Sequence, residues 1–333
     1  MVTYLNYYTV EGNEWQSLLQ TLEQVKVAPF ERSNTLFPPD ALQTINPIAL
    51  QRLGAQTYEK LRLNWSLTDL ALIDAKKGAL ESSAEKFSNA YEQFDDLSGE
   101  SLLLAQTLYH SRIAYFYYRT SQFDNADKNL ARTLEIDDML QGIYPVLHGH
   151  KLHVLQNKSR TLALRKRYGD GAHLLTDILH YMINSRHKPY QRGVWGKQLI
   201  MKEAAFQPTH VAFEFTIFYF CRDCYHFPAF ETEVIRNSGG LVKSLRKVAL
   251  HHPVYQTTLD WLQTKRALYV QDSLTEYISR TDHFIRTYSE RYNLFKLLLL
   301  MDLFRALTLL GFKEESQTIQ AFIGDYHAIQ IAA

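Results

Sequence analysis

The sequence predicts an all-α chain, an α-solenoid of antiparallel helix pairs with degenerate terminal repeats. Three observations carry that expectation. Glycine and proline are scarce, 14 and 9 in 333 residues, and they fall mostly between periodic segments, where helix ends need them. Apolar residues recur at three- and four-residue intervals over stretches of about 10 to 18 residues, a few turns of helix each. The turns between these stretches span only a few residues, and connections that short leave consecutive helices packed as antiparallel neighbours.

Val2 to Thr9 is rich in aromatic residues and suits a short extended segment. Val27 to Pro47 contains Pro29, the pair Pro38-Pro39 and Pro47, and reads as an ordered loop or linker. It divides the chain into an N-terminal segment with linker, residues 1–47, and a helical repeat domain, residues 48–333. Helical patterns follow at Ile48 to Arg62, Leu67 to Lys77 and Leu80 to Phe94, the second opened by Ser66 as a capping residue. Asp95 to Glu100 breaks the pattern. Periodic stretches then cover Leu102 to Arg119, Phe123 to Glu135, Leu147 to Lys166, Ala172 to Asn184, Val211 to Tyr225 and Glu231 to Arg236. The remainder holds Leu241 to Ala249, Tyr255 to Val270, Leu274 to Arg286, Tyr292 to Leu310 and Glu314 to Ile323.

Charge and composition narrow the function classes. Thirty-six basic and 35 acidic residues give a formal charge of +1, so no global field draws the molecule onto nucleic acid or an anionic membrane, and any charged binding surface is local. Two cysteines, Cys221 and Cys224, are too few for a disulfide framework and fit a reducing compartment. Met1 to Asn13 lacks a basic segment followed by an apolar one, as a secretory signal would require. The greasiest stretch, Phe295 to Phe312, is interrupted by Lys296, Asp302 and Arg305, which argues against a membrane span. The expectation is a soluble, cytoplasmic protein.

Between Thr107 and Asp138, Ala114 supplies a small residue in a first helix, Tyr117 and Phe123 supply aromatics around a turn, and Ala126 supplies a small residue at a close crossing. Ile113, Leu130 and Leu134 are apolar at helical spacing. This segment resembles a tetratricopeptide repeat, the 34-residue helix-turn-helix unit. It departs from the family pattern at Ser121, where the turn often has glycine, and at Thr133, where the second helix often has alanine. A weaker unit starts near Leu152 and includes Ser159, Leu162, Tyr168, Gly171, Leu175 and Ile178. A closing unit with Leu303, Leu307, Leu310, Gly311, Ser316 and Ile323 is similar, and Leu67 to Phe94, with Ala84, suits an early one. The competing expectation is an irregular helical domain with one accidental repeat.

The resemblance implies that the first helix of each pair lines a concave face. That places Arg112, Tyr115 and Arg119 on the lining of one unit, and His153, Asn157 and Arg160 on the next. These side chains are mostly hydrogen-bond donors, suited to a carboxylate or to the backbone of an extended peptide. The family's chaperone-binding members hold a carboxyl terminus with lysine and asparagine, whereas arginines stand here. The expected function is therefore a noncatalytic adaptor or scaffold that binds a peptide or protein segment, acidic or C-terminal, with a solvated basic face as the plainer reading of the same residues.

Other signals are weighed against it. Cys221-Arg-Asp-Cys224, with His226 after it and His210 before it, has thiol spacing compatible with zinc or redox chemistry. No companion ligand motif accompanies it, and the aromatic run Phe213 to Phe220 makes buried free thiols the expectation. His148, His150 and His153 are close in sequence, but Gly149 lies at a helix start, and His251-His252-Pro253 reads as a helix terminus. No nucleotide-binding glycine loop, nucleophile elbow or metalloprotease motif occurs, so neither catalysis nor a cofactor is expected. An RNA-binding alternative rests on Arg165-Lys166-Arg167 and the loop Arg186 to Lys197, whose Trp195 either contacts a ligand or plugs the next helix pair.

Overall fold

The computed structural model describes residues 12–25, 41–185, 188–204 and 209–326. Among them the chain forms α-helices and no strand. In order these are α1 (Asn13–Gln24), α2 (Ala41–Leu53), α3 (Ala55–Lys77), α4 (Leu80–Glu92), α5 (Gly99–Arg119), α6 (Phe123–Leu140), α7 (Leu147–Leu164) and α8 (Tyr168–Ile183). They continue with α9 (Lys197–Ala204), α10 (Thr209–His226), α11 (Pro228–Asn237), α12 (Gly239–Val248), α13 (Pro253–Tyr269), α14 (Leu274–Thr287), α15 (Asn293–Leu310) and α16 (Lys313–Tyr326). The extended segment expected at Val2 to Thr9 lies outside the described residues, as do residues 26–40 of the expected linker.

Two corrections concern the start of the chain. The expected linker does not reach Pro47, because α2 begins at Ala41 and carries Pro47 in its interior. Ile45 and Ala49 are fully buried on this helix, so packing outweighs the ladder bond that proline removes. Ser66 caps nothing, since it lies inside α3, and the actual break falls at Gly54, whose φ of 74° suits a residue without a side chain. Two helices were not anticipated, α1 and α9.

The chain divides into two compact units, residues 35–216 and residues 1–34 with 217–332. In the first, α3 and α4 run in opposite directions. Asn64 Nδ2 donates to the Ala90 carbonyl at 2.7 Å, while further along α3 the Ala71 carbonyl accepts from Ser83 Oγ at 2.8 Å. Gly78, in the left-handed region at φ 83°, ends α3 and lets the chain turn back. α5 packs on both α3 and α4, with Trp65 Nε1 donating to the Leu104 carbonyl at 3.2 Å and the Tyr109 ring meeting Phe87 and Phe94 edge-on. α6 packs on α5, with Ala114 and Ala126 buried on these two helices, α7 packs on α6, and α8 on α7, where Ser159 Oγ donates to the Gly171 carbonyl at 2.8 Å.

In the second unit α13 is surrounded by α11, α12, α14 and α15, and α16 packs on α15. Its centre is the buried Trp261 ring, edge-on to Phe220 and Phe295. α1 joins this unit by packing on α14. A 12-residue helix is marginal alone, and here Trp15, Leu18 and Leu22 are buried, contributing roughly 1.5–3 kcal/mol each. Arg286 of α14 adds hydrogen bonds to Thr21 Oγ1 at 2.6 Å and to the Ser17 carbonyl at 3.2 Å. No helix among the described residues is long and apolar enough to cross a membrane.

Candidate functional site

α5 starts where Ser98 N donates to Ser101 Oγ at 3.2 Å, and its length aligns Arg112, Tyr115 and Arg119 on one face. These three differ in availability. Arg112 is largely enclosed, pairs with Asp69 of α3 at 2.6 Å and donates to the Trp65 carbonyl at 3.4 Å, so its charge is matched and it cross-links α3 to α5. Tyr115 is half-buried with its ring against Tyr118. Arg119 is exposed and has no ion pair or hydrogen bond from its side chain among the described residues.

On α7, His153, Asn157 and Arg160 likewise share a face. His153 is exposed with its ring edge-on to Phe215, and Asn157 and Arg160 are half-buried. The structure thus brings each trio together along its own helix, and the packing between α5 and α7 runs mainly through α6. In the basic cluster that suggested RNA, Arg165 pairs with Asp124 at 3.1 Å and Asp127 at 3.3 Å, and Arg167 pairs with Asp170 at 2.7 Å. Two of its three cations already face carboxylates.

The histidines and the Trp195 loop take part in one polar cluster built on α6, α7 and α8. Lys151, with a fully buried side chain, donates to Asp138 Oδ1, to Gln141 Oε1 at 3.4 Å and to the Val194 carbonyl at 2.8 Å. Its Nζ also stands 4.0 Å from the centre of the Trp195 ring. Burial lowers the Lys151 pKa, and Asp138 opposes that shift. Asp138 Oδ1 accepts in addition from Val194 N and Gln141 Nε2, both at 3.2 Å. The Trp195 ring meets His148 and Tyr181 edge-on, and its Nε1 donates to the Arg192 carbonyl at 2.9 Å. Trp195 packs on the preceding pair, α7 and α8, where the sequence led us to expect it in the next pair.

His148 is neutral, its pKa pushed down to about 3 by burial and then by the Lys151 charge. Its Nε2 lies 3.0 Å from Tyr181 Oη, which is also 3.1 Å from Gly196 N and 3.2 Å from the Gly196 carbonyl. One proton arrangement satisfies all three contacts: Nε2–H and Gly196 N–H donate to the phenol oxygen, and the phenol donates to the carbonyl. His148 Nδ1 is buried without a hydrogen-bond partner among the described residues. His150 instead faces Asp137 at 2.8 Å, and Thr107 Oγ1 donates to the other Asp137 oxygen at 2.5 Å. The three histidines therefore have separate environments. Among the described residues no group of three or more His, Cys, Asp or Glu side chains is placed to hold a metal.

A second cluster escaped the sequence reading. Lys265 Nζ donates to Glu231 Oε1 at 2.6 Å, Asp302 Oδ2 at 2.5 Å and the Leu298 carbonyl at 3.1 Å, and all three charged side chains are fully buried. Arg305 pairs with Asp302 at 3.2 Å and approaches Glu231 Oε2 at 4.0 Å. Glu231 is pushed up to about 7, chiefly by burial and then by the Asp302 charge, with Lys265 opposing. An ammonium with three acceptors and no exposure fixes α11, α13 and α15 to one another. The sequence trace of this site was Asp302, a carboxylate within an apolar stretch, but its partners lie 37 and 71 residues away. Cys221 and Cys224 are fully buried nearby in charge terms, and burial raises both thiols well above their ordinary range, so they remain protonated.

Compared with known protein families, with curated proteins and with solved structures, the chain matches none of them.

Proposed function

We propose that the chain is a noncatalytic adaptor of the tetratricopeptide-like kind, in which antiparallel helix pairs stack as a solenoid and the first helices present a groove to an acidic or C-terminal peptide segment in the cytoplasm. The observation that carries this reading is the pair of polar faces on α5 and α7, where the exposed Arg119, beside Tyr115, has no charged partner among the described residues and the exposed His153 stands on the next first helix. Support for the stacking comes from the packing order α3 with α4, α5 with α6, and α7 with α8, each pair joined to the next. A carboxylate on Arg119 would gain charge-assisted hydrogen bonds without breaking an internal pair, whereas at Arg112 it would compete with Asp69.

Calorimetric titration with acidic peptides, ending either in a free carboxylate or in an amide, tests the assignment on the wild type and on Arg119→Ala with His153→Ala. Both positions are exposed, so the fold is kept. Removing two such contacts is expected to weaken binding at least about tenfold, as loss of one charged hydrogen bond of roughly 1.5–3 kcal/mol would. Equal affinity in the two proteins removes the α5–α7 face as the binding site.

A further inference from the structure

The contacts around Trp195 have the form of a peptide bound in a site. The socket is made by Asp138 of α6 and Gln141 just past its end, His148 and Lys151 of α7, and Tyr181 of α8. Its parts are held by one another, since Lys151 bonds to Asp138 and Gln141, and Gln141 bonds to Asp138. Residues 194–196 enter it as a ligand would. Val194 gives its N–H to Asp138 and its carbonyl to Lys151, the Trp195 indole packs against Lys151, His148 and Tyr181, and Gly196 gives both main-chain groups to Tyr181. Main-chain hydrogen bonds with one aromatic anchor are how an extended segment is recognised by a folded partner.

Residues 191–194 are exposed, so the socket is reached from solvent. A second, independent observation concerns capacity left over: the enclosed His148 keeps Nδ1 without a hydrogen-bond partner while the loop is docked. A ligand with one more hydrogen-bonding group could use it. We infer that residues 192–196 are a tethered, displaceable occupant of a peptide site, and that the site takes a partner's extended segment anchored by an indole side chain. The residue after the indole is held by its main chain alone, since the N–H and carbonyl of Gly196 lie against one phenol oxygen and a Cβ there would meet nothing within 4 Å. This site is separate from the faces of Arg119 and His153, and it stands or falls independently of them.

A tethered ligand competes at an effective concentration in the millimolar range, so the free peptide should bind the wild type weakly and bind more tightly once the loop is loosened. Gly193 provides the means. It sits at φ 98°, and a Cβ added there would lie 2.7 Å from Asp138 Oδ2 and 3.3 Å from Trp195 Nε1. The experiment titrates the full chain with the synthetic peptide Tyr-Gln-Arg-Gly-Val-Trp-Gly-Lys, the sequence of Tyr190 to Lys197, and with the same peptide carrying alanine for tryptophan. Gly193→Ala and Trp195→Ala loosen the occupant by different routes, while Tyr181→Phe and Lys151→Met damage the socket. Circular dichroism reports folding of each variant.

The expected result is peptide affinity at least about tenfold higher in both loop variants than in the wild type, lost in both socket variants and absent for the alanine peptide. Hydrogen exchange of residues 188–196 in the wild type at millimolar peptide gives a reading that needs no variant, with protection of the loop expected to fall. The inference is overturned if folded loop variants bind no peptide, if the socket variants bind as well as the loop variants, or if wild-type loop protection is unchanged at saturating peptide. Concentration-dependent dimers of the loop variants that exclude the peptide would also overturn it, because the occupant would then be a second copy of this chain.

Discussion

Glu231 and His148 titrate in opposite senses, and each shift has a structural cause. Enclosed with Asp302 and Lys265, the Glu231 carboxyl moves from 4.5 up to about 7. Between those values the folded chain holds a proton that the unfolded chain has released, so the contribution of Glu231 to stability falls as pH rises through this window, by up to roughly 3 kcal/mol. His148 moves from 6.5 down to about 3. There the unfolded chain holds the extra proton, and the stability contribution is present above 6.5 and is lost as pH falls. Lys265 is shifted upward from 10.5, so its contribution is complete throughout the neutral range. Glu231→Gln isolates the first effect. Urea unfolding of wild type and variant at about pH 5 and about pH 8 should give a stability difference that shifts against the wild type by roughly 3 kcal/mol as pH rises, and a difference independent of pH would show that Glu231 is not the titrating group.

At the scale of helices, two alanines on the packed pair α5 and α6 are buried. Ala126 is fully enclosed, so Ala126→Leu overfills its site and is expected to lose about 1–3 kcal/mol, measured as a lowered urea midpoint with an unchanged slope. Ala126→Gly, which adds no volume, should lose only about 1 kcal/mol through helix propensity. These small residues were readable in the sequence, as were the ends of α6, α8 and α14 to within a few residues, because breakers and apolar spacing are local signals. Pro47 misled the reading of α2 for the same reason: its local preference was overruled by burial of Ile45 and Ala49. α1 did leave a trace, Trp15, Leu18 and Leu22 at helical spacing, yet its partner lies on α14. The candidate faces on α5 and α7 were legible from helical periodicity, but not the engagement of Arg112 by Asp69, 43 residues earlier. The Trp195 socket was half legible, since the loop and the histidines were conspicuous while Asp138, Lys151 and Tyr181 were not.

Across the whole chain, the two units differ in how they use sequence. Residues 35–216 are continuous, whereas the other unit needs both residues 1–34 and residues 217–332. α1 is therefore a distant part of the structure it completes, and Trp15→Ala, which empties a buried site against α14, is expected to lose roughly 3–5 kcal/mol of stability in that unit. Hydrogen exchange resolves the effect by segment, with lost protection expected over α14 and retained protection over α3 to α6. Loss of protection in both regions would show that the units do not respond separately. The same arrangement dictates an order of events during synthesis, when domains fold as their residues leave the ribosome. The helix carrying Trp15 emerges more than 250 residues before its binding surface on α14, so over that interval this greasy stripe has no native seat. A chain that stopped before Leu274 would leave Trp15, Leu18 and Leu22 without the helix they pack on.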